Sequence, residues 1–195
     1  MIAETRAKLL AAARCAFGTV GYAAASMDDF TAEAGLTRGA LYHHFGDKKG
    51  LLQAVIAEID AEMATRVNEV AARAPTRWQH FVDECTAYIE MALEPEIQRI
   101  MFRDGPAVLG DPAQWPNANG CVASMTDNLT RLQQDGVVVA DLDPETTARL
   151  INGASSQASQ RIANSQNPEA TSKMAVTAFK QLLEGLLKKP DRQPN

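Results

Sequence analysis

Between Met27 and Phe45 the chain reads as a short helix, a three-residue turn containing glycine, and a second short helix, and no other stretch so narrows what it can be. Ser26 followed three residues later by Asp29 is a capping-box-like start. Asp28 and Asp29 suit the positive end of a helix, and Met27, Phe30 and Ala34 supply its inner face. The helix stops at Gly35, Leu36 turns into the core, and Thr37 is placed to cap the next helix. Leu41 and Phe45, four apart, bury one side of residues 38 to 45, which turns Arg38, Gly39, Tyr42 and His43 outward. A helix-turn-helix over about 27–46 lays its second helix in the major groove of DNA, and that outward face suits a groove reader. Arg38 has the fork geometry for a guanine edge. Gly39 and Ala40 permit close approach, and Tyr42 offers a hydroxyl to phosphate or a ring to a thymine methyl. Lys48 and Lys49 stand at the start of a helix capped by Asp47, where cations oppose the macrodipole unless a phosphate sits between them and the amides; a solvated lysine pair is the alternative.

Helical periodicity continues on both sides. Leu9, Leu10, Ala13, Ala16, Phe17 and Val20 fall at threes and fours before Gly21, and the helix beginning after Asp47 runs to Arg73. Thr76 with Gln79 forms another capping box, opening a helix of about 77–94 striped by Trp78, Phe81, Val82, Cys85, Tyr88, Ile89 and Ala92. Four prolines and two glycines between Pro95 and Asn119 leave room for a short helix from Ile97 to Phe102, then an irregular connection. Helix returns near Cys121 and ends by Gly136. The pairs Asp143-Pro144 and Asn167-Pro168 each open a long helix, and a polar stretch from Lys188 to Asn195 follows. Val137-Val138-Val139 is too short to require a sheet. The expected fold is all-α, with about nine helices. A three-helix DNA-binding unit occupies residues 1–47 and leads into a fourth helix, about 48–73; a helical ligand-binding and dimerisation domain occupies 74–195.

With 195 residues, 46% of them apolar, the chain can bury a real core. No apolar run approaches the roughly 18 residues of a membrane span, so the expectation is a cytoplasmic protein with no membrane partner. Net charge is −5, but residues 1–50 hold six Lys/Arg against five Asp/Glu, so any DNA-binding surface is local and N-terminal. Cys15, Cys85 and Cys121 are too scattered for a disulfide framework or a CxxC metal site.

The segment Ser26-Met27-Asp28-Asp29-Phe30 through Ala34-Gly35-Leu36-Thr37-Arg38-Gly39-Ala40-Leu41-Tyr42-His43-His44-Phe45, then Gly46-Asp47-Lys48, resembles the tetracycline-repressor (TetR) family over roughly residues 5–60. The resemblance implies that this segment binds DNA. It makes Thr37, Tyr42, His44 and Lys48 backbone contacts and puts Arg38, Gly39, Ala40 and His43 nearest the bases. It also implies a repressor that binds a palindromic double-stranded operator as a homodimer and is released by a small-molecule effector.

The remainder of the chain supplies architecture rather than ligand identity. Trp78, Phe81, Cys85, Tyr88, Phe102, Trp115 and Met125 are the candidate effector-pocket residues, with ordinary core packing as the alternative. Arg99 and Arg103, four apart, suit a carboxylate ligand, with solvated surface or pairing with Glu96 as the alternatives. His80 is read as a satisfied, partly buried side chain. Gly153, Ala154 and Ala158 allow close helix approach and, with Phe179, Leu182, Leu183 and Leu186, form the candidate dimer interface. No nucleophile with a base, carboxylate pair or metal-ligand cluster stands at recognisable spacing, so no enzyme, cofactor or metal is expected. A redox switch through Cys85 and Cys121 is a second alternative, weakened because no cationic neighbour lowers either thiol.

Overall fold

A computed structural model describes residues 2–116 and 118–188; the polar stretch 189–195 lies outside the described residues. The helices are α1 (Ile2–Thr19), α2 (Met27–Glu33), α3 (Arg38–Phe45), α4 (Lys48–Ala71), α5 (Arg77–Glu90), α6 (Pro95–Ile97), α7 (Gly105–Leu109), α8 (Ala118–Gln134), α9 (Pro144–Ala163) and α10 (Pro168–Glu184). A π-helical turn, Gln98–Asp104, joins α6 to α7 without a break, so residues 95–109 form one bent helix, and the described residues then hold the expected nine. There is no named strand among them; Val138 makes a single antiparallel bridge to Leu187.

Several helix starts follow from local chemistry. Thr37 Oγ1 accepts from Ala40 N at 3.3 Å, Asp47 Oδ1 from Gly50 N at 2.7 Å, and Thr76 Oγ1 from Gln79 N at 3.1 Å. Asp143 and Asn167 cap α9 and α10 by accepting from Thr146 N at 2.8 Å and Ala170 N at 3.1 Å, each followed by proline where no amide is needed. Gln79 does not close its capping box; its amide donates to Asp83 instead. Two expectations are corrected. The helix from residue 77 ends at Glu90, and a 3₁₀ turn, Met91–Leu93, takes up the rest. The connection after Phe102 is helical as far as Leu109. The wider π turn carries the Gly105 amide to the Ile100 carbonyl, and Pro106 falls in the first turn of α7, where amides lack partners anyway.

One hydrophobic core runs from Leu9 to Leu183. α4 is its axis: Leu51, Leu52, Val55, Ile56, Ile59 and Met63 are buried along it, joining the first three helices to the rest. Phe17 packs edge-on against Phe30 at 5.3 Å, which seats α2 on α1.

Arg14 of α1 ties this core at its rim. Its Nε and Nη2 donate to Glu96 at 2.9 Å each, and Nη1 and Nη2 donate to Glu62 at 2.6 and 2.8 Å. Nη1 also reaches Glu58 at 3.1 Å. One guanidinium therefore clamps α1 to α4 and to the start of the bent helix. The Cγ of Glu96 lies only 3.4 Å from where a Cβ on Gly18 would be. The carboxylates are 39–49% exposed, so solvent screening holds the network to about 2 kcal/mol rather than the sum of five bonds.

Hydrogen bonds from Arg14 hold the Glu62 carboxyl below its ordinary 4.5. A lowered folded value adds stability that is complete above 4.5 and lost as pH falls through the folded value. Arg14→Met is expected to lower the urea midpoint near neutral pH, with the difference from wild type shrinking between about pH 6 and about pH 3. A difference constant over that range contradicts the assignment.

Candidate DNA interface and effector cavity

Leu41 and Phe30 are fully buried, and Phe45 is half-buried with the Arg6 guanidinium 5.3 Å from its ring centre. These contacts fix α3 by one face only. Arg38, Gly39, Tyr42 and His43 are exposed on the other, with Ala40 and His44 half-buried beside them and Thr37 exposed at the N-cap. Tyr42 is 52% exposed, large for an aromatic ring on a helix whose inner face is closed, so packing does not account for it. The turn between the helices passes through Gly35 at φ 64°, a left-handed conformation suited to glycine.

The cations on this face are held by neighbours. Arg38 Nε and Nη2 donate to the two oxygens of Asp28, which lowers the aspartate's pKa and keeps the guanidinium charged. Both side chains are 60% exposed, so the pair is weak enough to yield to a base edge or phosphate. The Lys48 ammonium lies 4.5 Å from the Tyr22 ring centre and 3.5 Å from the Ala23 carbonyl; burial pushes its pKa down, and the Asp104 carboxylate pulls it back up. Lys49 is exposed.

Sequence reasoning missed Gly50. A Cβ there would lie 2.0 Å from the Phe45 carbonyl oxygen, so the close approach of α3 to α4 depends on its missing side chain.

Behind this unit, α4, α5, α8, α9 and the bent helix enclose a cavity of about 460 Å³. Tyr88, Phe102 and Trp115 stand on its wall with Ile56, Met101 and Leu109. The Tyr88 and Phe102 rings meet edge-on at 5.9 Å. Trp115 packs against Gly105, where a Cβ would come within 2.7 Å of the ring. Trp115 Nε1 is buried without an acceptor among the described residues, so packing rather than polar contact holds the indole.

Trp78, Phe81, Cys85 and Met125 do not line this cavity, which corrects their grouping with the other three. Phe81 and Cys85 are fully enclosed by core, Met125 is buried, and Trp78 is half-buried against Phe81. Burial pushes the Cys85 thiol up, as does the neighbouring Glu84 charge; burial and Asp60 push up Cys121, which opposes thiolate chemistry at either. Gly153 is exposed and stands on the cavity wall, and Phe179 and Leu183 are buried in the protomer's own core. Leu182 is 67% exposed, while Ala154, Ala158 and Leu186 are half-buried on that core. Among the described residues Arg99 and Arg103 bond carbonyls rather than carboxylates. Arg99 donates to the Thr19 carbonyl at the end of α1, and Arg103 Nε donates to the Ala163 carbonyl at the end of α9 at 2.6 Å. A cation at a helix C-terminus satisfies unpaired carbonyls and complements the dipole. His80 Nδ1 donates to the Ala71 carbonyl at 2.8 Å, closing the end of α4.

The bent helix touches both regions. Met101 and Phe102 face the cavity, while Asp104 accepts from Tyr22 N at 2.7 Å, and the Tyr22 ring carries the Lys48 ammonium.

A model of tetracyclin-repressor-like C-terminal domains matches residues 78–186, and one of the bacterial regulatory proteins of the tetR family matches residues 9–55. The HTH-type transcriptional regulator UidR of Escherichia coli (strain K12) is 30% identical over 157 residues, 75% of this chain and 76% of that one. The HTH-type transcriptional repressor AcnR of Corynebacterium efficiens is 40% identical over 66 residues, 34% of this chain and 35% of that protein. Among solved structures, a TetR-family transcriptional regulator from Pectobacterium atrosepticum is 51% identical with a TM-score of 0.88, covering 97% of each chain.

Gly50→Ala tests the helix contact against intrinsic preference. Alanine favours a helix by about 1 kcal/mol over glycine, yet here we expect a net loss of about 1–3 kcal/mol in urea unfolding, because α3 must move off α4. A gain in stability contradicts that contact.

Proposed function

We propose, on the premise that this chain belongs to the TetR family of bacterial transcriptional regulators, that it represses transcription as a homodimer on a palindromic operator and leaves it when a small molecule fills the cavity. The observation that carries this reading is the α3 face, where Arg38, Gly39, Tyr42 and His43 are exposed on a helix otherwise anchored by buried Leu41. Base contacts fall to Arg38, Gly39, Ala40 and His43. Thr37, Tyr42, His44 and Lys48 take the phosphates, after Lys48 swings from the Tyr22 ring. Such a regulator acts where the chromosome is, in the cytoplasm; among the described residues no helix is long and apolar enough to cross a membrane.

Dimerisation is supported by a second apolar stripe. Met174 is 64%, Leu182 67% and Leu150 70% exposed, and Ala178 continues the α10 row between Met174 and Leu182. Pairing α9 and α10 across a two-fold axis covers these side chains and presents two α3 helices to half-sites about 34–36 Å apart. A monomer in sedimentation at micromolar concentration contradicts this arrangement.

The bent helix supplies a route for release. An occupant displacing Phe102 moves Asp104 and Arg99, and with them the end of α1, Tyr22 and Lys48. The occupant must favour the displaced state, and a coupling of about 1–3 kcal/mol is typical.

Fluorescence anisotropy against DNA from the gene's own upstream region and a random duplex, across a salt series, tests the reading. Tight, preferential and salt-sensitive binding is expected. Arg38→Ala should cost about 1–3 kcal/mol and relax base preference, whereas Lys48→Ala should weaken all sequences and flatten the salt slope by about one. Equal losses on both duplexes for both variants contradict the division of labour.

A further inference from the structure

The cavity's charge and wall chemistry narrow its occupant, on the reading that it is the effector site. Asp60 and Asp111 stand on its wall, and among the described residues no lysine, arginine or histidine does. The other polar groups are neutral: the amides of Gln53, Gln114, Asn152, Gln157 and Gln160, and the hydroxyls of Tyr88 and Ser156. Two arginines near the wall are placed elsewhere. The Arg103 guanidinium is bound to the Ala163 carbonyl, and Arg161 lines an adjoining open groove with Asn164, Ser165 and Thr171.

An anion entering this space gives up hydration and meets carboxylates of its own sign, with no cation among the described wall residues to replace the lost water. A cation meets the reverse: two carboxylates, neutral amide oxygens, and the faces of Tyr88, Phe102 and Trp115. We propose that the cavity binds organic cations, protonated amines or quaternary ammonium groups on an apolar, aromatic body, and discriminates against carboxylates and phosphates of the same shape. The field is already evident on the wall itself. After burial, the Asp60 charge is the next cause pushing both the Tyr88 phenol and the Cys121 thiol up. The volume of about 460 Å³ is that of a drug-sized ligand site.

Calorimetric titration of the full-length protein with three matched probes, naphthylethylammonium, naphthylethanol and naphthylacetate, tests this. The cation should bind at least about tenfold tighter than the anion, with the alcohol between them. The gap should close to about twofold in Asp60→Asn/Asp111→Asn, where asparagine at 111 keeps an oxygen to cap Ala113. The wild-type ranking stands without the variant, should that fail to fold. Naphthylacetate binding as tightly as the ammonium overturns the proposal, and so does the absence of binding by all three at millimolar concentration. DNA affinity measured in the same solutions separates the two claims. Cation preference without any effect on DNA supports the occupant class while overturning the effector role, and anion preference with release from DNA does the opposite.

Discussion

Arg14 joins three carboxylates from two separate stretches of chain, and the geometry of both functional regions depends on that junction. Glu58 and Glu62 lie on α4, whose buried side chains support α3; Glu96 lies on the bent helix, whose inner face is the cavity wall. A guanidinium serves where an ammonium does not, because its fork meets Glu62 and Glu96 through two nitrogens each. Arg99 on Thr19 and Tyr22 on Asp104 repeat the attachment one turn further along, so the end of α1 is held by the bent helix at several points. Displacing that helix without moving the DNA-binding unit requires breaking all of them.

The electrostatics of the DNA face are local. A chain of net charge −5 has no general attraction for phosphate, so the proposed binding would rest on local cations such as Arg38, Lys48 and Lys49 at one end of the molecule. Two of the three are parked, Arg38 on Asp28 and Lys48 on the Tyr22 ring and Ala23 carbonyl. The exposed Arg38–Asp28 pair costs little to open.

Features set by neighbouring residues were legible in the sequence: the caps at Ser26, Thr37, Asp47, Asp143 and Asn167, the inward Leu41, and the TetR resemblance itself. Features set by the phase of one helix against another were not. Trp78, Phe81 and Cys85 share the apolar stripe of α5 with Tyr88, yet only Tyr88 faces the cavity, because the others meet core. On α10, Phe179 and Leu183 point inward while Met174 and Leu182 point out; a second apolar row at spacing four was the available signal. Gly105 and Pro106 read as breakers, since a π turn that accommodates both leaves no local mark. Gly50 is explained by a carbonyl on a different helix.

In the proposed mechanism cavity occupancy and DNA affinity are linked through the bent helix. A Cβ on Gly153 enters open space, so Gly153→Phe introduces bulk at the cavity wall without a bound molecule. DNA dissociation constants measured for wild type, Gly153→Phe, Asp104→Ala and the double variant form a cycle that isolates the linkage. Gly153→Phe is expected to weaken DNA binding about tenfold in the wild-type background, and by less than about twofold once Asp104 no longer holds Tyr22. The same factor in both backgrounds would mean that the bent helix does not carry the linkage.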